Sequence, residues 1–238
     1  METKLTKEQL SDLYSRTSEQ GREVLRTLFG EEEFRKRPIG VWCLIRQLTT
    51  LKLVRRQDWE DCYQGIEIGV AVITDKTQFV IAPHNTVAAQ WSPIDAGRDS
   101  VELITDTESL DAARATDRIV EKYSGALHVD SDSETQYNFI GAPAADFCRQ
   151  YSHGGIGANK WHLPTVAQLK IIADNIEEVN ACFLTMGLPP MVMGWYWSSI
   201  ACKDDNRCAW LVLMTNGYTD YDVKYGNYYV RAVSAFQI

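Results

Sequence analysis

The C-terminal part of the chain carries an alternating pattern that restricts it to β-structure. From Gly194 to Phe236 the hydrophobic residues recur with a period of two, which is the side-chain period of a strand. Asn216-Gly217 stands between two such runs, and this dipeptide is a strong signal for a tight turn between antiparallel strands. We therefore expect strands that pair with their sequence neighbours, including Ala209–Met214 and Tyr228–Ala235.

Upstream of these strands the apolar spacing changes to that of helices. The pattern predicts helices over Ser109–Tyr123, Ala142–Tyr151 and Thr165–Val179. Thr165 and Gln168 have the spacing of a capping box, which fixes the start of the third helix. Helices followed by short strands predict an α+β domain, in which the second and third helices pack against a twisted, mostly antiparallel sheet.

The first third of the chain is expected to be helical and to lead into a β-hairpin. Capping-box patterns open two short helices at Thr6 and Thr17, and a third helix is predicted over Val41–Leu51. Alternation from Ile66 to Ala82, with a turn at Asp75-Lys76, predicts the hairpin.

These patterns divide the chain into two parts. Residues 1–60 form the predicted helical segment, and residues 61–238 form the second domain, which begins with the hairpin.

Charge and hydropathy exclude several classes of partner. Asp and Glu number 32 against 24 Lys and Arg, and a net charge of −8 argues against a nucleic-acid backbone as the partner. No stretch approaches the ~20 apolar residues of a membrane span.

The start of the chain has no basic region followed by an apolar run, so no secretory signal is visible. A place in the cytoplasm, or in a phage particle assembled there, is expected.

The residues that usually carry catalysis do not form a motif. His84, His128, His153 and His162 lack metal-ligand spacing, so neither a metal nor another cofactor is expected. Cys148 precedes His153, but a thiol nucleophile also needs a third, orienting group, and a lone cysteine on a helix is usually part of the core.

Six cysteines occur without any C-x-x-C pair. They are interpreted as free thiols, with a bridge between Cys202 and Cys208 left open as the alternative.

Tyrosines crowd the end of the chain. Five of them fall within residues 218–229, together with aspartate, asparagine, threonine and glycine. This mixture is typical of binding loops, in which tyrosine gives contact area and the small polar residues give adaptable hydrogen bonds. The same residues also suit an ordinary polar sheet face, because tyrosine is a good strand former.

A series of short motifs has a recognisable order. The motifs are Trp161-His162-Leu163-Pro164-Thr165, Tyr196-Trp197-Ser198-Ser199, Ala209-Trp210, Gly217, Lys224 and Tyr229-Val230-Arg231-Ala232-Val233-Ser234-Ala235-Phe236. Over residues 142–236 the chain resembles the C-type-lectin-like domains of the formylglycine-generating-enzyme type. In particular it resembles the variable target proteins of diversity-generating retroelements of bacteria and phages.

The resemblance implies a ligand-binding protein that is not an enzyme. Its partner would be an unknown protein or cell-surface ligand, and the N-terminal helices could mediate self-association or attachment to a phage particle. A structural tail-tip protein is one alternative. A formylglycine-generating oxidase that uses Cys202 and Cys208 is the other.

The resemblance also implies which side chains vary. The implied variable positions are Ala201, Cys202, Asn206, Arg207, Cys208, Leu211, Leu213, Thr215, Tyr218, Asp220, Tyr221, Asp222, Tyr225, Gly226, Asn227 and Tyr228. The implied framework positions are Trp197, Ser198, Ser199, Ala209, Trp210, Gly217, Lys224, Val230, Arg231, Val233 and Phe236.

Burial and contacts can be predicted for some of these positions. Leu211 and Leu213 are apolar and suit either the surface or the core. Arg231 is expected to fix a loop through carboxylate or carbonyl groups. The residues expected to be exposed in one patch are Tyr218, Asp220, Tyr221, Asp222, Tyr225, Asn227 and Tyr228. Those expected to be buried are Trp197, Trp210, Val230 and Val233.

Overall fold

A computed structural model describes Gly21 and residues 38–94, 97–129 and 138–236 of the chain. The two helices predicted after Thr6 and Thr17 lie outside the described residues. Among the described residues, no helix is long and apolar enough to cross a membrane.

The described residues form a large sheet and a small ribbon. The strands are β1 (Gly40–Gln47), β2 (Thr50–Val54), β3 (Glu67–Ile73), β4 (Gln78–Ala89), β5 (Leu127–His128), β6 (Phe139–Ile140), β7 (Trp195–Ala201), β8 (Cys208–Leu213), β9 (Thr219–Val223) and β10 (Tyr228–Ser234). Eight strands have the order β2-β1-β3-β4-β10-β7-β8-β9, and β5 pairs with β6. The pairs β1–β2, β4–β10, β7–β8 and β8–β9 are antiparallel, whereas β10 and β7 run parallel.

Four helices accompany these strands in the described part of the chain. They are α1 (Ala112–Tyr123), α2 (Pro143–Gln150), α3 (Val166–Asp174) and α4 (Ile176–Thr185), and short 3-10 turns cover Arg56–Asp58 and Asp61–Tyr63. The predicted capping box is present, because Thr165 accepts from the Gln168 amide and Gln168 accepts from the Thr165 amide. The helix predicted over Thr165–Val179 is interrupted at Asn175 and continues as α4. The α+β class is thus confirmed.

The helix predicted over Val41–Leu51 is wrong, because this stretch forms β1 and the start of β2. The four consecutive residues Trp42–Ile45 are buried, so β1 is covered on both faces. A strand of this kind has an unbroken apolar run and no two-residue alternation, which makes it indistinguishable from a buried helix by period alone. The part of the predicted helical segment that the structure describes is therefore not helical at residues 40–47 and 50–54.

The chain divides into two compact units. The first consists of residues 1–40 and 73–77, and the second of residues 41–72 and 78–238. In the first unit, the Thr74 amide donates to the Thr77 carbonyl over 2.8 Å. The Thr74 hydroxyl accepts from the amides of Lys76 and Thr77. This turn lies at the predicted Asp75-Lys76 position and joins β3 to β4, which confirms the hairpin.

In the second unit, the core lies on one face of strands β7 and β8. Tyr196, Val212 and Met214 belong to the same buried cluster as Leu169 and Ile172 of α3. Successive strand residues point to opposite faces, so Trp197 and Leu211 lie on the side of the sheet that faces away from α3. The second face of β7–β9 therefore carries a different set of side chains from the face that packs on α3.

Candidate functional site

Strand register defines a face that carries both aspartates of β9. Trp197 pairs with Leu211, and Leu211 pairs with Asp220, so these three side chains share one side of the sheet. We call this side the aspartate face. Its members are Trp195, Trp197, Ala209, Leu211, Leu213, Asp220 and Asp222.

Tyr228 is fixed against the aspartate face by a ring contact and a hydrogen bond. Its hydroxyl donates to Asp222 Oδ2 over 2.5 Å, and its ring meets the Trp197 ring edge-on with centroids 5.0 Å apart. Trp197 is fully buried and donates from Nε1 to the Ala89 carbonyl over 2.8 Å. Burial and the hydrogen bond to Asp222 raise the pKa of Tyr228 to about 12. Tyr228 and Asp222 are therefore half-buried and held in place, although they were expected to be largely exposed.

Among the described residues, the two most exposed tyrosines lie on opposite faces of the sheet. Tyr218 is 60 % exposed and touches the Trp195 ring, whereas Tyr221 is 56 % exposed and touches the Trp210 ring. Trp210 pairs with Tyr221 and packs against the core on the face opposite the aspartates. The prediction of a single patch is thus wrong for Tyr221. The predicted burial of Trp210 is confirmed only in part, because its ring packs against the core but is partly exposed beneath this tyrosine.

Lys224, which follows β9, bonds to the loop before β8 and to the end of α1. Its ammonium group donates to the Asn206 carbonyl over 2.5 Å and to the Tyr123 hydroxyl over 3.2 Å, and it lies 5.0 Å from the centre of the Trp91 ring. The side chain is 1 % exposed. Burial, together with repulsion from Lys122, lowers the pKa of Lys224 to about 8.

The loop after β7 is further stiffened at its surface. Arg207 donates to both carboxylate oxygens of Asp205, and these bonds depress the pKa of the Asp205 carboxyl. The Lys224 amide donates to the Arg207 carbonyl over 2.9 Å. The predicted variable positions Asn206 and Arg207 therefore expose their side chains from a backbone that Lys224 holds.

A row of three rings extends the surface beyond the sheet. Tyr225 stacks on His128 with centroids 5.5 Å apart, and His128 stacks on Phe139 at 4.7 Å. His128 and Phe139 belong to the β5–β6 ribbon, whose Leu127 and Ile140 are exposed. The sequence interpretation missed this row, because residues 124–137 are polar and carry no periodic signal for a strand.

The predicted variable positions fall into three groups. Exposed are Asn206, Arg207, Thr215, Tyr218, Asp220, Tyr221, Tyr225 and Asn227. Half-buried are Cys202, Leu213, Asp222, Gly226 and Tyr228. Buried are Ala201, Cys208 and Leu211.

The buried group corrects the expectation that all of these positions belong to the surface. Leu211 pairs with the buried Trp197, and the amide of Ala201 donates to the Ile104 carbonyl of a covering loop over 2.9 Å. Because Ala201, Cys208 and Leu211 are enclosed in this way, they are unavailable to a ligand.

Arg231 has the structural role predicted for it. It is fully buried and donates from Nε to the Ala82 carbonyl and from Nη2 to the Pro189 carbonyl. Its guanidinium lies 4.3 Å from the centre of the Phe183 ring. Burial lowers the pKa of Arg231 to about 10. The residue thus fixes the loop before β7 through carbonyl groups.

Cys202 and Cys208 are joined by a backbone hydrogen bond, and Cys202 lines a cavity. The Cys202 amide donates to the Cys208 carbonyl over 3.1 Å, and all six cysteines of the chain are free thiols. Cys202, Asn206 and Lys224 help to line the cavity of about 500 Å³. Burial raises the pKa of Cys202 to about 12 and also raises that of Cys208. Both thiols are protonated near neutral pH, and this arrangement does not supply a thiolate nucleophile.

Two histidines that are distant in sequence come together in the fold. His84 and His153 have ring centroids 5.5 Å apart, and His84 Nδ1 lies 2.8 Å from the Tyr151 hydroxyl oxygen. Burial and the neighbouring His153 lower the pKa of His84. Within residues 38–94, 97–129 and 138–236, no group of three or more His, Cys, Asp or Glu side chains could hold a metal ion.

Comparison with known proteins identifies a matching family and a similar fold among solved structures. The model of the Lcl C-terminal domain family matches residues 74–234. No curated protein matches the sequence. The crystal structure of a fimbrial protein from Bacteroides ovatus ATCC 8483 is similar with a TM-score of 0.47 and 10 % identity. The similarity covers 83 % of this chain and 44 % of that protein, so this chain spans less than half of its length.

Proposed function

This chain belongs to the Lcl C-terminal domain family, a C-type-lectin-like family of variable proteins, and we propose that it binds a ligand through its C-terminal segment. The proposal rests on one observation: from β7 to β10, most framework residues are buried and most of the variable residues are at least partly exposed. Exposed polar and aromatic side chains alternate there with buried framework residues such as Trp197, Val230 and Val233.

The surface that we propose consists of the accessible variable positions other than Tyr221, which lies on the opposite face of β9. They are Cys202, Asn206, Arg207, Leu213, Thr215, Tyr218, Asp220, Asp222, Tyr225, Gly226, Asn227 and Tyr228. Exposed tyrosines supply rigid contact area, and the aspartate and asparagine side chains supply hydrogen bonds. Tyrosine and small polar residues have the same two roles in antibody loops. The identity of the ligand is not encoded in such a surface, because its exposed side chains can change without opening a cavity in the core.

We also propose that these positions are diversified by a retroelement. Substitutions at exposed side chains cost little stability, whereas substitutions at Trp197 or Val230 would open cavities, so diversification has to avoid the framework. Sequencing of this gene across a population should show changes concentrated at the proposed surface. Changes that fall equally on framework residues, or the absence of a template copy beside a reverse transcriptase, would contradict the proposal.

Binding capacity can be tested without knowledge of the natural ligand. One display library would randomise Thr215, Tyr218, Asp220 and Asn227, and a matched library would randomise four exposed helix positions, Arg114, Lys170, Glu177 and Leu184. Both would be selected against immobilised hen lysozyme. We expect folded binders from the first library only. Equal yields from both libraries would show that the C-terminal surface has no special suitability for binding.

We further propose that the chain is not an enzyme. Formylglycine-type chemistry would need Cys202 and Cys208 as reactive thiols, and burial keeps both protonated. The purified chain with added copper should therefore leave a cysteine peptide unoxidised, as should Cys202→Ser. Oxidation that is lost in Cys202→Ser would establish the opposite. Self-association or attachment to a particle through the N-terminal helices remains a prediction on residues outside the described ranges.

A further inference from the structure

Strand β9 forms one edge of the large sheet and pairs only with β8 in the described part of the chain. Hydrogen bonds at both ends of the pair establish which backbone groups face outward. The Leu213 amide donates to the Tyr218 carbonyl, and the Lys224 amide donates to the Arg207 carbonyl. Antiparallel pairs alternate between bonded and non-bonded positions, so the amides of Thr219, Tyr221 and Val223 point away from β8.

Two of these three outward amides are taken up by aspartate side chains. The Tyr221 amide donates to Asp220 Oδ1 over 2.8 Å, and the Val223 amide donates to Asp222 Oδ1 over 2.7 Å. Asp222 is itself oriented by the Tyr228 hydroxyl, which donates to its other oxygen. The alternation of aspartates along β9 thus matches the alternation of its outward amides.

Free amides on an edge strand are the groups that another strand would need for pairing. Two copies of this chain could otherwise align their β9 strands antiparallel about a two-fold axis, which is the simplest symmetric contact. We propose that Asp220 and Asp222 close the β9 edge to a second copy of this chain by occupying its outward amides. The inference does not depend on the proposed ligand, because it concerns the free protein.

Hydrogen exchange in the unaltered chain gives the first test. The Thr219 amide serves as the internal control, since it also faces outward but has no side-chain acceptor among the described residues. The amides of Tyr221 and Val223 should exchange about fivefold more slowly than the Thr219 amide, the ratio expected from one typical net hydrogen bond. Equal exchange at all three positions would overturn the proposal, whatever the variants below show.

Paired variants separate the hydrogen bonds from the charge. Asp220→Ala/Asp222→Ala removes both acceptors, whereas Asp220→Asn/Asp222→Asn keeps an acceptor oxygen at each position and removes the charge. Light scattering should show a doubling of molar mass for the alanine pair and an unchanged mass for the asparagine pair. An alanine pair that stays monomeric, or an asparagine pair that dimerises equally, contradicts closure by these hydrogen bonds.

A third substitution locates the contact. Tyr221→Pro removes an outward amide that β8 does not use, and proline is tolerated at such positions of edge strands. Added to the alanine pair, it should restore the monomer, and a dimer that persists would place the association elsewhere and overturn the proposal. Circular dichroism on each variant confirms that it is folded. The exchange test decides the question if the alanine pair fails to fold.

Discussion

Trp197 and Tyr218 differ widely in what they contribute to stability. Trp197 is fully buried, donates a hydrogen bond to Ala89 and supports Tyr228, whereas Tyr218 leaves 60 % of its surface exposed. Trp197→Ala should lower the free energy of unfolding by about 3–5 kcal/mol, as large-to-small core substitutions do. Tyr218→Ala should change it by no more than about 0.5 kcal/mol. Urea denaturation of both variants measures the contrast, and similar losses would mean that the tyrosine belongs to the core.

The lowered pKa of Lys224 predicts that the free energy of unfolding depends on pH. The folded-state pKa of this lysine is about 8, whereas an unfolded lysine has a pKa of about 10.4. Between these values the unfolded chain binds more protons than the folded chain, so the contribution of Lys224 to stability rises with pH. In Lys224→Met this titration is absent. The free energy of unfolding of the unaltered chain, relative to this variant, should therefore increase from pH 7.5 to about 10. A constant difference in urea titrations over this range would contradict it.

At the scale of elements, the capping box decides where α3 begins. The Thr165 hydroxyl accepts from the Gln168 amide over 3.2 Å, and both residues are buried, so water cannot replace the lost bond. Thr165→Ala should cost about 1–2 kcal/mol, the upper part of the range of about 0.5–2 kcal/mol for N-cap substitutions. Thr165→Ser keeps the hydroxyl and serves as the control. Thermal or urea unfolding should place the serine variant between the alanine variant and the unaltered chain, and equal losses would assign the effect to the missing methyl group.

At the scale of the whole molecule, the last strand of the chain lies inside the sheet. β10 stands between β4 and β7, so its loss would leave two long edges unpaired. A chain ending at Asn227 should therefore lose the cooperative fold and not only its binding surface. As the control, a short Gly-Ser insertion after the exposed Thr215 should be tolerated, because it lengthens only a surface turn. A cooperative melt of the truncated chain in circular dichroism would show that the remaining strands fold without β10.

The sequence by itself determined the local features of this protein. Alternation from β7 to β10, the Asn216-Gly217 turn and the Thr165–Gln168 capping box depend on neighbours in the chain, so they could be predicted from the order of residues. The resemblance to C-type-lectin-like variable proteins came from the ordered motifs between Trp161 and Phe236, and the family match confirms it. The buried β1 strand could not be predicted in this way, because a strand covered on both faces has no alternating pattern.

Tertiary structure alone decided which predicted positions reach a common surface. Tyr221 and Asp220 are adjacent in sequence but lie on opposite faces of β9, and Leu211 is enclosed because Trp197 comes to lie opposite it on the neighbouring strand. The row from Phe139 through His128 to Tyr225 joins segments far apart in the chain. Such pairings depend on strand order and register. Both arise from contacts between residues distant in the sequence, so the spacing of apolar residues along the chain does not predict them.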